Sequence, residues 1–411
     1  MVTTQNPAAH PVVSPKIAPK SGRIQSVDAL RGAIMILMAI DHVRDFVNRS
    51  AMSFSPTDLT RTTTALFLTR WITHFCAPVF AFTAGIGAFL WLSHGRTKGQ
   101  LSRFLLSRGL WLVILELTLV RFLFVFEVRF QDRLVFLLVF WMLGLCMMIL
   151  AALVHLSTRV LAVLSLVAIA GHNLLDPISA VRFGPAAGIW NILHQPGVFP
   201  FLGAQILAPY SLVPWFAVMA AGYCFGSVFL WEPARRRRFL VWLGSALTIT
   251  FVLLRAWNVY GDPAPWSAQP SAVFTVLSFL NCTKYPPSLD FLLMTLGPAI
   301  VALAWLERLR FSLHNPLIVF GRVPFFYFVT HIALIHLVAV ALGFIRYGAH
   351  GFLLLPAPSM GGPAKMFPAG YGYSLWVAYA VWLGVVAALY PLCRWFADLK
   401  QRRRSWWLSY L

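Results

Sequence analysis

The chain has 411 residues, of which 59% are hydrophobic and only 11% charged. Soluble globular chains are about 45–50% apolar and about 25% charged, so a soluble fold is excluded and an all-α, polytopic integral membrane helical bundle is predicted. The formal net charge is +20, but the basic residues stand in short clusters between apolar runs, as membrane topology uses them. No recognition motif accompanies them, and no nucleic-acid partner is expected.

Residues 1–25 are rich in Pro, Ala, Ser and Lys and read as a disordered cytoplasmic tail. The rest, 26–411, reads as a single transmembrane domain. The first apolar run begins late and holds charges, unlike a cleavable signal peptide. About ten transmembrane helices follow, near 28–47, 71–93, 105–126, 134–156, 160–175, 210–231, 239–257, 287–306, 323–345 and 373–396. With both termini in the cytoplasm, the basic clusters near 96–108, 235–238, 308–310 and 400–404 all fall inside, as the positive-inside bias requires. The plasma (inner) membrane is the expected location. The long links 48–70, 176–209, 258–286 and 347–372 then lie outside as interfacial or re-entrant loops. Reporter fusions after Arg238 and near Tyr371 should report cytoplasm and exterior respectively; the same side for both would refute this topology, because three spans separate them. Five scattered cysteines offer neither a disulfide framework nor paired metal-ligand spacing, and no metal is expected.

The first span, "SVDALRGAIMILMAIDHVRDF", holds Asp28, Arg31, Asp41, His42, Arg44 and Asp45. At 3.6 residues per turn, positions 28, 31, 35, 38, 42 and 45 share one stripe, which reads Asp, Arg, Met, Met, His, Asp. Ionisable groups in a span are costly and usually line a cavity or pathway. Arg31 lies near the inner end and His42 near the outer end, ~16 Å apart along the axis. The plainer reading pairs Arg31 with Asp28 and leaves Asp41, Arg44 and Asp45 at the interface.

"SVDALRG" followed by "MAIDHVRDF" resembles the first helix of the heparan-α-glucosaminide N-acetyltransferase-like membrane family. The Arg31-to-His42 spacing also resembles a pattern of the wider transmembrane acyltransferases. "TRWITHFCAPVFAFTAGIGAFL", "LVPWFAVMAAGY", "NCTKYPPSLDFLLMTLGP" and "GRVPFFYFVTHIALIHL" extend the resemblance to nearly the whole chain. It implies an acyltransferase with acetyl-CoA as cosubstrate. The family's catalytic His is associated with the loop after the first helix, but 48–70 contains none. The candidates here are therefore His42 and His74.

His74 sits near the outer surface where the second span begins, and Arg70, one turn earlier, is placed to meet an anionic group or the interface. Lys284 and Tyr285 precede a double proline, whose stiffness holds them at the outer mouth as substrate contacts or interfacial anchors. His331 follows Tyr327 by one turn on the same face, while His336 points away from it. Glu116, mid-span, must either pair, with an arginine of a neighbouring helix as the candidate partner, or be protonated. His172 and His194 carry no motif. Phosphate-binding loops, HExxH and GxSxG are absent.

The acyltransferase reading takes its chemistry from the resemblance and its geometry from the stripe. Arg31 meets CoA phosphates, the pantetheine arm follows the methionines, and His42 acts as general base or is itself acetylated. Asp45 or Asp41 orients the imidazole. The acceptor, a sugar or glycan, approaches from outside, with Arg70, Lys284, Tyr285 and His331 in reach. The alternative is a transporter or flippase with a His/Asp/Arg-lined pathway, though no inverted repeat is visible. A structural scaffold leaves the aligned Arg and His unexplained. An oligomer is compatible with all three.

Overall fold

The computed structural model describes residues 24–126, 134–348 and 370–403. The expected tail up to residue 23, most of the 347–372 link and the chain beyond Arg403 lie outside the described residues.

Every predicted span corresponds to a helical segment. The first is α1 (Gln25–Val47). The second joins α2 (Thr64–Ile72) through a short 3-10 turn to α3 (Cys76–Ser93). The third joins α4 (Lys98–Leu115) through a π-helical stretch, Glu116–Val120, to α5 (Arg121–Val125). Next come α6 (Val139–Leu153) and α7 (Thr158–Gly171). The 176–209 link then holds α8 (Ala187–Leu193), followed by the spans α9 (Leu212–Phe225) and α10 (Pro233–Trp257). Another link helix, α11 (Ala272–Leu280), precedes α12 (Leu289–Leu306). Finally, α13 (Pro316–Arg322) abuts α14 (Pro324–Tyr347), and α15 (Leu375–Arg402) ends the described chain.

Seven of these segments are individually long and apolar enough to cross a bilayer. The others are α1 and α4–α5, which carry charges, and α6, which has 15 residues. The bundle has an inside and a rim: 78% of the α12 span is buried against 17% of α15 and 22% each of α7 and α10. The rim helices expose Val167, Trp242, Leu253 and Trp376, as lipid-facing helices do.

Reciprocal glycines set the closest approaches. Gly32 of α1 faces Gly321 of α13, and a Cβ on either would lie 1.8 Å from a carbonyl oxygen of the other helix, Leu317 or Asp28. Gly85 and Gly222 join α3 to α9 in the same way, and Gly109 and Gly144 join α4 to α6. Without a hydrophobic drive between helices in lipid, such backbone contact supplies the packing.

The ninth span begins earlier than predicted. It starts at Pro316 and is broken at Val323, whose φ of −130° and ψ of 48° leave the helical region before Pro324 restarts the helix. A small three-stranded sheet, which the all-α reading does not contain, joins the 176–209 link to residues 134–136, so the fourth span begins as a strand and turns helical only at Val139. It comprises β1 (Leu134–Phe136), β2 (Gly197–Phe201) and β3 (Ala204–Ala208), in the order β1-β3-β2. The β2–β3 hairpin turns on Leu202 and Gly203, both with positive φ. Parallel pairing of β1 with β3, Leu134 opposite Gln205, sets the start of α6 beside Leu207.

Candidate active site

Around the C-terminal third of α1, the bundle opens into a cavity of about 640 Å³, within the range of small-molecule sites, about 300–1,000 Å³. Its wall is built from the C-terminal end of α1, Arg70 of α2, Glu116 and Phe124 of the third span, Leu207, Pro209 and Tyr210 at and just after the end of β3, Lys284 and Tyr285, and Phe328.

His42 lies in that wall, between the rings of Phe124 and Phe328 at 5.8 and 6.0 Å. Its Nδ1 is 2.8 Å from Nε2 of His331, 289 residues away in the chain. His331 is fully buried, and its Nδ1 is 3.0 Å from the carbonyl oxygen of Tyr327. A carbonyl only accepts, so His331 carries its proton on Nδ1 and leaves Nε2 as an acceptor. His42 therefore donates from Nδ1, and its Nε2 keeps a lone pair. Among the described residues that atom has no hydrogen-bond partner, and it is not among the buried unpaired atoms. One backbone carbonyl thus sets the tautomer of two imidazoles, the outer one on the cavity wall.

This corrects the role expected of the carboxylates. Neither Asp41 nor Asp45 orients His42. Arg70 donates through one nitrogen to both oxygens of Asp41, at 2.8 and 2.5 Å. Arg44 bridges Asp41 and Asp45 at 2.9 and 2.6 Å. These charges form a linked network and are not separate groups, and Arg70 is occupied by Asp41. Such a desolvated network costs more to break than to keep.

His74 is 2% exposed, packs its ring against Phe291 at 5.3 Å, and is not part of the cavity wall. Its Nδ1 has no hydrogen-bond partner. The turn between α2 and α3 that carries it faces it into the bundle, away from the cavity wall. Among the described residues, no arginine pairs with Glu116 either. Its Oε2 accepts the backbone N–H groups of Phe140 and Trp141, at 2.8 and 3.2 Å, where α6 begins. A carboxylate there satisfies orphan donors and faces the positive end of the helix dipole.

Lys284 reaches the cavity over the ring of Tyr285, 5.2 Å from its centroid. The Tyr285 hydroxyl donates to Tyr210 at 3.4 Å. Burial opposes ionisation of Tyr285, but Lys284 and Arg70 outweigh it and bring the phenol below its usual range, while burial and Tyr285 push Tyr210 well above. No sequence signal marks Tyr210, because its place here depends on the hairpin fold. Nor does any local signal join His331 to His42.

Arg31 stands apart from the cavity. It donates to the carbonyl of Thr83 at 2.7 Å and pairs with Asp28 at 3.7 Å. Met35 and Met38, which the stripe places between Arg31 and His42, are 1% and 6% exposed and packed in the core. The expected groove along the methionines is closed. His336 stacks on Phe126 at 3.7 Å and is not part of the cavity wall.

A family model described as heparan-alpha-glucosaminide N-acetyltransferase, catalytic, matches residues 23–256. No curated protein matches the chain. The matched stretch contains His42, Asp41, Arg70 and Glu116, whereas Lys284, Tyr285 and His331 lie beyond it.

Proposed function

The chain belongs to the heparan-α-glucosaminide N-acetyltransferase family, and from that premise we propose that it is a membrane acetyltransferase moving an acetyl group from acetyl-CoA to an extracytoplasmic sugar or glycan. The observation that carries this reading is the His42 lone pair on the wall of a polar cavity, its tautomer set by His331 and the Tyr327 carbonyl.

In this mechanism an acceptor amine or hydroxyl donates its hydrogen to His42 Nε2. As that proton moves, the acceptor atom attacks the thioester carbonyl. The C–S bond then breaks, and the CoA thiolate recovers the proton from the imidazolium. His42 returns to its starting form, and no further reagent is consumed. His331 accepts the Nδ1–H of His42 throughout and so supports its cation. Lys284 and Tyr285 supply a positive charge and a phenol for the acceptor's polar groups.

The donor's phosphates are assigned to Arg31 at the inner end of α1, whose side chain is 20% exposed beside Asp28. The pantetheine arm then reaches His42 by displacing Met35 and Met38, side chains that repack readily. Arg31→Ala should weaken acetyl-CoA binding while acceptor binding holds, and Lys should rescue only in part, since a point charge does not replace the guanidinium fork. Unchanged acetyl-CoA affinity would leave Arg31 a structural role, which includes its Thr83 and Asp28 contacts.

Acetyl-CoA labelled in the acetyl group, offered to purified protein with amino-sugar and hydroxyl-sugar acceptors, tests the reaction itself. Labelled sugar is expected. No labelled sugar from either acceptor class, together with no labelled protein, would overturn the transferase reading and favour transport.

A further inference from the structure

Away from the cavity, His172, Asp176 and His194 come together. His172 opens the 3-10 turn that closes the fifth span, His172–Leu175, and Asp176 follows it. His194 follows α8 in the outer link. Its Nε2 lies 3.0 Å from Asp176 Oδ1, and ligand atoms from all three residues lie within 4.8 Å of one another. None of the three lines the cavity.

The two imidazoles are more buried than their hydrogen bonding explains. His172 and His194 are 3% and 1% exposed. Even so, both ring nitrogens of His172 and Nδ1 of His194 lack a hydrogen-bond partner. The Pro287 carbonyl is beside His172 but outside hydrogen-bonding geometry. A neutral imidazole always has one N–H and one lone pair, and burying them unpaired is unfavourable. A metal ion would take the lone pair.

The carboxylate is already oriented. Asn173 Nδ2 donates to Asp176 Oδ2 at 2.8 Å, which leaves Oδ1 towards the histidines. The Oδ1 of Asn173 in turn accepts the backbone N–H of Leu289, where α12 begins. Such outer contacts hold ligating carboxylates in known metal sites. Two imidazoles and one carboxylate suit borderline divalent ions such as Zn²⁺, with a fourth position left for water.

The geometry points to a divalent transition-metal site of zinc type at His172, Asp176 and His194, which clamps the outer link to the end of the fifth span. Its role is mechanical. His194 lies just ahead of β2, and the hairpin that follows delivers Leu207, Pro209 and Tyr210 to the cavity wall. The metal would therefore brace that wall without touching the acyl-transfer chemistry. Sequence spacing does not reveal the site, because only folding of the intervening link brings His194 to His172 and Asp176.

The test uses the full chain purified in detergent on a tag without histidines. After loading with zinc and desalting, about one zinc per chain is expected, and the melting temperature should rise relative to chelator-treated protein. Cobalt should give visible ligand-field absorption. In His172→Gln, His194→Gln and Asp176→Asn, the bound metal and the metal-dependent rise in melting temperature should disappear. Each variant is compared with itself, with and without metal, so a lower baseline stability does not confuse the result. Asp176→Asn serves if a histidine variant misfolds. Wild-type protein that retains no zinc, or His172→Gln and Asp176→Asn that bind it as wild type does, would overturn the proposal.

Discussion

His42→Ala should fold, bind acetyl-CoA and lose acetyl transfer by ~10²–10⁴-fold, the range for removal of a general base. The expectation rests on Nε2 at the cavity wall and on the His331 contact that leaves it unprotonated. His331→Phe should reduce turnover by a smaller factor with little change in substrate affinity, because it frees the tautomer but leaves the base in place. Asp45→Asn should matter less still, since Asp45 bonds to Arg44 and not to the imidazole. His74→Ala is the control and should retain transfer, as His74 packs away from the cavity. Steady-state kinetics with acetyl-CoA and a sugar acceptor would decide. Transfer that survives His42→Ala but not His74→Ala would place the base on the other helix.

Gly32→Ala should sharply destabilise the protein and abolish transfer. An added Cβ would lie 1.8 Å from the Leu317 carbonyl oxygen, which belongs to backbone and cannot swing aside. The two helices must separate, at a cost of roughly 1–3 kcal/mol or more for overpacking. The joint also sets the site. Gly32 to His42 and Gly321 to His331 are both ten residues, so the glycine contact fixes the register in which the two imidazoles meet. Gly384→Ala is the matched control: nothing lies within 4 Å of that position in α15, and the change should be neutral or stabilising by up to ~1 kcal/mol. Thermal melting followed by size-exclusion chromatography would compare them. Equal melting temperatures for the two variants would refute the close-packing account.

Most of the spans were legible because they are apolar runs of sufficient length, set off by basic clusters or Pro- and Gly-rich links; these are local properties. The break before Pro324 follows from the same kind of rule, since proline disfavours helix at the residue before it. The ninth span was nevertheless placed too late, because α13 ends at the break and is too short to stand out.

The first helix was legible as unusual for a thermodynamic reason: hydrocarbon penalises ionisable groups, so their presence demands an account. Their individual roles were not. Periodicity shows which residues share a face, but not what stands opposite that face. Asp41 and Asp45 lie beside His42 in the sequence, yet Arg70 and Arg44 take them. His331, far along the chain, takes the imidazole instead. Glu116 found two backbone donors at the start of α6 where an arginine was expected.

The sequence by itself thus determined the membrane class, the helical segments and the helix that carries His42, all of which depend on local transfer energies and backbone sterics. Only the tertiary structure decided which groups meet. That depends on how each helix is rotated and how closely it approaches its neighbours, and here reciprocal glycines let backbones touch and bring the two imidazoles to one level.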